Sequence, residues 1–326
     1  MPNLYPLKFK TIYKDKIWGG DKIKTVLEKD FAPLPNCGET WELSGYDDNI
    51  SVVQDGDLEG KKLTALIADF KGQLVGEKVY EKFGNEFPLL IKFIDANADL
   101  SIQVHPDDAL AKARHAGFGK TEMWYVLQAD EDATLISGFN QEIDKTTYLN
   151  HFNNGTLDEI LNRETVAVGD VFFIPAGRVH TIGKGILLAE IQQTSDTTYR
   201  IYDFDRVDAE GNKRELHVEE AAGAIDYNFY ENIKTNYADK GNEAVNLADC
   251  DYFTTNKIVA DKQVSRSYEA LDSFVIYICT EGEFGLIYNE NELTVKKGEV
   301  VLLPATIKNV ALVPSPKTTL LEVYTK

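Results

Sequence analysis

A chain of 326 residues, 43% hydrophobic and 27% charged, is sized for one or two domains with enough apolar mass for a real core. Its formal net charge of −19, from 34 basic and 53 acidic residues, argues against a nucleic-acid binder and against docking on anionic membranes. A phosphorylated small substrate stays open, because a pocket can be locally basic on an acidic protein. The three cysteines (Cys37, Cys250, Cys279) are far apart and form no Cys-x-x-Cys pair. That disfavours a disulfide framework or a cysteine zinc site and makes a cytoplasmic location the expectation. The N-terminus has no apolar run of the signal-peptide kind, and the longest apolar runs are strand length, so a soluble chain is expected.

Along the chain, apolar residues near helical spacing run from 63 to 83, although Gly72 and Gly76 argue against one unbroken helix. Short runs rich in Val, Ile, Phe and Tyr predict strands at 89–94, 123–127, 171–174, 186–191, 273–279, 284–288 and 300–303. Gly, Asp, Asn and Pro turns separate them. Pro106-Asp107-Asp108 ahead of residues 109–115 reads as a helix start, with proline and acids in the first turn. Leu157, Ile160 and Leu161 predict a second short helix. Residues 168–176 and 297–305 repeat one pattern: glycine, an acid, valine, apolar residues, then Pro-Ala. Such a turn feeding a buried strand, met twice, predicts two similar β-barrels in tandem, with the polar stretch 231–249 as linker. The first copy leads to His180, whereas Asn309 stands at the matching place in the second.

Only five histidines are present. Strand alternation over 100–106 puts Ser101, Gln103 and His105 on one face, which is either solvent or the wall of a polar cavity. Glu122 opens the next strand and His180 follows the proline-glycine turn. Two imidazoles, a carboxylate and a glutamine converging from separate strands suit catalytic Zn²⁺, and their oxygen ligands leave Mn²⁺, Fe²⁺ or Co²⁺ open. His115, His151 and His217 have no patterned neighbours and read as structural or surface residues. Trp18 and Trp41 read as core aromatics, and Glu39 and Glu42 as acids that tie the N-terminal strands to the barrel. Lys92, on a core strand, points either into a pocket or out of an edge.

The spacing from Gly169 through Pro175 and Gly177 to His180 resembles the second sequence motif of the cupin superfamily, and Gln103-x-His105 with Glu122 resembles the first. Further motifs follow in order: Trp18-Gly19-Gly20, Gly38-Glu39-Thr40-Trp41-Glu42, Pro88-Leu89-Leu90-Ile91-Lys92, Gly119-Lys120-Thr121-Glu122 and Ser195-Asp196-Thr197-Thr198-Tyr199-Arg200. Together they resemble the short bacterial form of the type I mannose-6-phosphate isomerase family over residues 5–215. The resemblance implies a mainly-β chain of two cupin-like jelly-roll barrels with a small helical portion. It implies a catalytic barrel at 1–235, with N-terminal strands and helical insertions, and a degenerate C-terminal barrel at 236–326.

The resemblance also implies site roles. Gln103, His105, Glu122 and His180 match ligands of one zinc ion per chain, and Arg200 matches an active-site arginine. Lys120 matches a pocket lysine, Glu190 and Asp196 match acids lining the site, and Ser101 and Lys92 match polar positions near the substrate. The implied activity is interconversion of mannose 6-phosphate and fructose 6-phosphate through an enediol, by a monomer or a homodimer. Glu190 is a candidate base, with Asp196 or a metal-activated water as alternatives. Lys92, Lys120 and Ser101 are the candidates for gripping the phosphate. A non-catalytic sugar-phosphate-sensing cupin is the alternative from another class.

Overall fold

The computed structural model describes residues 3–208 and 210–326. It is mainly β, as expected. A six-stranded antiparallel sheet in the first part of the chain carries, side by side, the strands Val171–Ile174, Glu122–Ala129, Ile186–Gln193, Leu89–Ala96, Glu39–Leu43 and Ile12–Lys14. A five-stranded sheet carries Leu161–Thr165, Thr134–Phe139, His180–Thr181, Ile102–Val104 and Tyr199–Tyr202. Trp124, Val126, Phe172 and Leu188 of the larger sheet pack with Leu135 of the smaller one and with nearby Val166 and Ile182. The second part repeats this plan. A six-stranded sheet and a four-stranded sheet share a core of Ile258, Val275, Tyr277, Phe284, Leu286, Leu303, Val310 and Leu312.

The two larger sheets also meet through their other faces. Ile91, Phe93, Met123, Tyr125, Ala189 and Ile191 join Ile276, Ile278, Leu302, Leu321 and Val323 in one cluster. The helical stretch packs there too, through Leu63, Leu66, Ile67, Phe70, Leu74 and Val79. It is broken, as its glycines predict, into Leu63–Phe70, Gly72–Val75 and Glu77–Phe83, with Gly76 at φ +99°. The strand Leu7–Lys8 pairs with Val301 and Leu302, so the start of the chain completes the sheet formed by its end.

Strand positions follow the apolar runs. Val171–Ile174 and Val300–Leu303 stand where expected, and the other runs extend by a few residues or shift by two. Asp107 caps the helix Asp108–His115 by accepting from the Leu110 N–H at 2.8 Å. Two expectations need correction. The helix at 157–161 is a single 3₁₀ turn, Leu157–Glu159, and Leu161 already opens a strand; the real helix lies just before it, Lys145–Asn154, capped by Asp144. The polar stretch 231–249 is no free linker. Ile233 is buried, the Thr235 N–H donates to the Val171 carbonyl at 2.9 Å, and Ala244–Asp249 is a sheet strand.

The repeated pattern is a repeated structure. Gly169 (φ +89°) and Gly298 (φ +78°) make the left-handed turn that leads into each matching strand. The halves differ inside. In the second, the fully buried Glu322 carboxylate accepts from Arg266 Nε and Nη2 at 2.8 Å each and from Asn256 Nδ2 at 2.9 Å. It also accepts from the Tyr268 hydroxyl, which meets the Tyr277 hydroxyl. Removing one partner strands the rest in a low-dielectric core. Glu322→Ala should therefore cost about 3–5 kcal/mol in chemical denaturation. A loss near zero would show that the network contributes nothing to stability.

Candidate functional site

The two-residue period of the large sheet sorts its side chains. Ile91, Phe93, Met123, Tyr125, Ala189 and Ile191 go to the shared core, so Lys92, Glu122, Trp124 and Glu190 face the smaller sheet. Register then sets neighbours: Glu190 pairs with Lys92 on one side and Trp124 on the other, and Glu122 pairs with Gln192. From the opposite sheet, His180 and Arg200 flank Gln103 on adjacent strands. A cavity of about 250 Å³ opens there. It is lined by Lys92, Ser101, Gln103, Lys120, Glu190, Asp196 and Arg200, and also by Lys16, Trp18, Glu39 and Arg214. A wider open groove of about 650 Å³ lies across the Ser195–Thr197 turn and holds none of the cluster residues.

Three groups meet at the centre. His105 Nε2 lies 3.6 Å from one Glu122 oxygen, and His180 Nε2 lies 3.5 Å from the other. Gln103 Nε2 is 3.4 Å from His180 Nε2. Each imidazole Nδ1 faces a backbone carbonyl, Thr197 at 2.9 Å and Arg178 at 2.8 Å. A carbonyl can only accept, so Nδ1 carries the proton and Nε2 presents a bare lone pair to Glu122. Burial above all holds both imidazoles neutral, His180 at about 3 and His105 well below its ordinary value. Of the fully buried Glu122, Oε2 meets only the Lys120 ammonium, at 3.0 Å, and Oε1 has no hydrogen-bond partner among the described residues. Two unprotonated imidazole nitrogens and this carboxylate, with donor atoms within 4.8 Å of one another, fit a divalent cation.

Around this centre, opposite charges alternate. Lys120 Nζ lies 3.0 Å from Glu122, Lys92 Nζ lies 3.2 Å from Glu190 and 4.0 Å from Glu39, and Lys16 lies 3.4 Å from Glu39. Burial, with the Glu190 charge beside it, pushes Glu122 up to about 7. Burial also opposes ionisation of Glu190, but Lys120 and Lys92 outweigh it and hold that carboxyl below its usual range. Glu190 Oε2 accepts from Trp124 Nε1 at 3.0 Å, while Oε1 is the oxygen that faces the Lys92 ammonium.

Each residue nominated from sequence can now be placed. Gln103, His105, Glu122 and His180 come together, and Lys120, Glu190, Lys92 and Ser101 surround them, all buried except the half-buried Gln103. Lys92 points inward, its ammonium 5.2 Å from the centroid of the Trp41 ring, which settles the two orientations left open. Asp196 lines the rim and is exposed. Arg200 pairs with neither Asp196 nor Asp203; its Nη1 donates to the Glu215 carbonyl at 2.7 Å and its Nε is buried without a partner. Trp18 and Trp41 are buried, as expected, yet Trp18 also forms cavity wall. Sequence reasoning missed Lys16 and Arg214, which sit in no motif and reach the cavity only through folding.

The donor set makes a direct prediction. The purified chain should bind one divalent cation per chain, and a chelator should lower its melting temperature. His180→Ala should lose the ion while keeping its β circular-dichroism spectrum. Full metal retention in that variant would remove His180 from the site.

Comparison with known proteins places the chain in a family. The type I phosphomannose isomerase catalytic-domain model matches residues 6–132, and a mannose-6-phosphate isomerase cupin-domain model matches residues 243–322. A mannose-6-phosphate isomerase of Bacillus subtilis is 38% identical over 308 residues, covering 92% of this chain and 93% of that protein. One from Streptococcus mutans is 35% identical over 309 residues, covering 93% and 94%. The crystal structure of the mannose 6-phosphate isomerase from Bacillus subtilis superposes with a TM-score of 0.87 at 31% identity, over 98% of this chain and 99% of that one. The chain belongs to the type I phosphomannose isomerase family.

Proposed function

We propose that this enzyme is a metal-dependent aldose–ketose isomerase that interconverts mannose 6-phosphate and fructose 6-phosphate. The observation that carries the reading is the juxtaposition of a buried Glu122, set between two unprotonated imidazole nitrogens, with an ionised Glu190 on the same sheet face. Gln103, His105, Glu122 and His180 would hold a zinc ion, which supplies Lewis-acid stabilisation of charge on the substrate oxygens when bound. The relatives named above are mannose-6-phosphate isomerases over nearly their whole length, which supports this activity over sugar sensing.

The chain's own residues divide the remaining work. The opened aldose must lose the C2 proton and gain one at C1, while a hydroxyl proton passes from O2 to O1. Glu190 carries the carbon-bound proton: Trp124 fixes its Oε2, and Lys92, 3.2 Å from Oε1, together with Lys120 keeps it ionised. Asp196 is exposed at the rim and has no such fixing, so Glu190 is the better base. Lys120 stands beside Glu122 and offers an ammonium to the reacting oxygens. Arg200, first expected to act at the reacting carbons, lies two strands from His180 with Gln103 between them, and its Nε, unpartnered among the described residues, is left for the far end of the substrate. Ser101 lies at the cavity wall with its hydroxyl 3.4 Å from Gln103 Oε1 and helps orient the sugar.

Lys92 takes a different part from the phosphate grip first expected of it. Buried and tied to Glu190 and Glu39, it sets the charge of the base instead. We also propose that the two sheet pairs are tandem cupin-like jelly rolls, a catalytic one at 1–235 and a degenerate one at 236–326, with the Leu7–Lys8 strand lent to the sheet of the second.

Turnover should vanish on chelation and return with zinc. Glu190→Gln keeps size and the Trp124 contact but removes the base, and kcat should fall about 10²–10⁴-fold with metal content unchanged. Zinc-restored protein that fails to form fructose 6-phosphate would overturn the substrate assignment, and a Glu190→Gln variant with near-normal kcat would overturn the base.

A further inference from the structure

The sequence nominated Lys92, Lys120 and Ser101 for the substrate phosphate, and the charges around the cavity point elsewhere. Lys92, Lys120 and Lys16 each already face a carboxylate, at 3.2, 3.0 and 3.4 Å. A dianion placed among them would compete with Glu190, Glu122 and Glu39 for the same ammonium groups. The other end of the cavity differs. There Arg200, Arg206 and Arg214 gather near one buried carboxylate, Asp203, and the other acids close to them, Glu215 and Asp196, are exposed to solvent. Arg200 and Arg214 line the same cavity as Gln103, Lys120 and Glu190, so on a chain of net charge −19 the one buried carboxylate at this end is outnumbered by guanidinium groups.

The three arginines are not equivalent. Arg206 commits its nitrogens to structure: Nε donates to the Asp203 carbonyl, Nη1 to the Asp99 carbonyl and Nη2 to the Asp203 carboxylate. It pins the 203–214 excursion to the turn ahead of the Ile102–Val104 strand. Arg200 gives Nη1 to the Glu215 carbonyl. Arg214 grips Asp203 in a two-point pair, Nε at 2.7 Å and Nη2 at 2.5 Å. Its Nη1 has no hydrogen-bond partner among the described residues, and the side chain lines the cavity. A guanidinium locked on one edge with the other edge open is preorganised to bind an oxyanion. Arg200 Nε, buried and unpartnered, adds a second unused donor nearby.

Distance fits the substrate. Arg200 lies on the second strand over from His180 in the smaller sheet, with Gln103 between them. Two strand spacings make about 10 Å, enough to separate the reacting carbons of an opened hexose from its far-end phosphate.

Building on the isomerase reading above, we propose that Arg214 is the residue that receives the C6 phosphate, and that Asp203 is a positioning residue that holds Arg214 with its free edge turned to the cavity. The three arginines then favour a dianionic phosphate over a neutral hexose, which makes this corner the specificity determinant. Like charge supports the arrangement: after burial, the largest influence lowering the Arg200 pKa is Arg214, a repulsion that a bound anion would relieve.

The test compares Arg214→Ala, Arg214→Lys and Asp203→Asn with the parent enzyme in its zinc form. A charge-assisted hydrogen bond to the phosphate is worth about 10- to 150-fold in binding. Arg214→Ala should raise KM for mannose 6-phosphate by about that factor, with most of the effect in KM rather than kcat. The inhibition constant of inorganic phosphate should rise with it. Arg214→Lys should recover part of both, and Asp203→Asn should shift both in the same direction by less, since the guanidinium remains but is no longer held. A KM within twofold of the parent in Arg214→Ala, or a raised KM with phosphate inhibition unchanged, would overturn the proposal. Calorimetric titration with inorganic phosphate reads the same subsite without turnover. Loss of that binding in Arg214→Ala would sustain the phosphate subsite even if the parent failed to isomerise mannose 6-phosphate, and equal binding by parent and variant would sink it. Should Arg214→Ala fail to fold, Arg214→Lys and Asp203→Asn decide by the same two constants.

Discussion

The site depends on one constraint: charged groups buried between two sheets must compensate one another almost completely. Glu122, Glu190, Lys92 and Lys120 are all nearly inaccessible to water. An isolated charge there would cost several kcal/mol. The sequence meets this by alternating sign along a series of neighbours, from Lys16 to Glu39, Lys92 and Glu190, and from Lys120 to Glu122. What the pairing leaves over is the chemistry. Glu122 has one oxygen, Oε1, with no hydrogen-bond partner among the described residues, beside two imidazoles that face it with lone pairs, and this local shortage of positive charge is what a cation makes good. Glu190 keeps its negative charge by its lysines. Reactivity here is the remainder of an otherwise balanced set of charges.

That balance is produced by sheet geometry. The same alternation that sends Ile91, Phe93, Ala189 and Ile191 into the core shared with the second half sends Lys92 and Glu190 into the cavity. A one-residue slip of either strand would bury the charges in the apolar cluster and empty the site, so the hydrophobic cost of misregister protects the catalytic register. The second half shows the same scaffold with its interior used otherwise. Its glycine turn and strand match the first, but Asn309 stands in place of His180 and donates to Glu269 near the surface. The space between its sheets is spanned by Glu322, Arg266, Tyr268 and Tyr277, whose donors and acceptors satisfy one another. A satisfied polar network rigidifies; an unsatisfied one binds.

These contrasts explain what could be read in advance. Gln103, His105, Glu122 and His180 were legible because each sits in a short motif whose spacing is local to a strand or a turn. The strands themselves were legible from runs of apolar residues. The tie between Lys92 and Glu190 was not, since it depends on pairing between strands almost a hundred positions apart, and register carries no local signal. The helix Lys145–Asn154 escaped because it buries little, chiefly Tyr148, so no strong apolar stripe marks it. Arg214 escaped for a related reason: it lies in a polar excursion and reaches the cavity only because Arg206 and Asp203 fold that excursion back.

An enzyme of net charge −19 that handles a dianion faces an apparent contradiction at long range. Screening removes most of it, because exposed charges beyond about 10 Å are largely hidden at ordinary ionic strength. The short-range field is set near the cavity, where Arg200 and Arg214 form part of the lining and, with Arg206 behind them, outnumber the one buried carboxylate there, Asp203. The two ends of the cavity therefore ask for opposite ligands: the His105–Glu122–His180 end for a cation, the arginine end for an anion. A substrate carrying polar oxygens at one end and a phosphate at the other satisfies both at once and can bind in only one direction. With Glu190 as the proposed base, orientation of the reacting carbons toward it follows from charge alone, before any contact specific to the sugar is made.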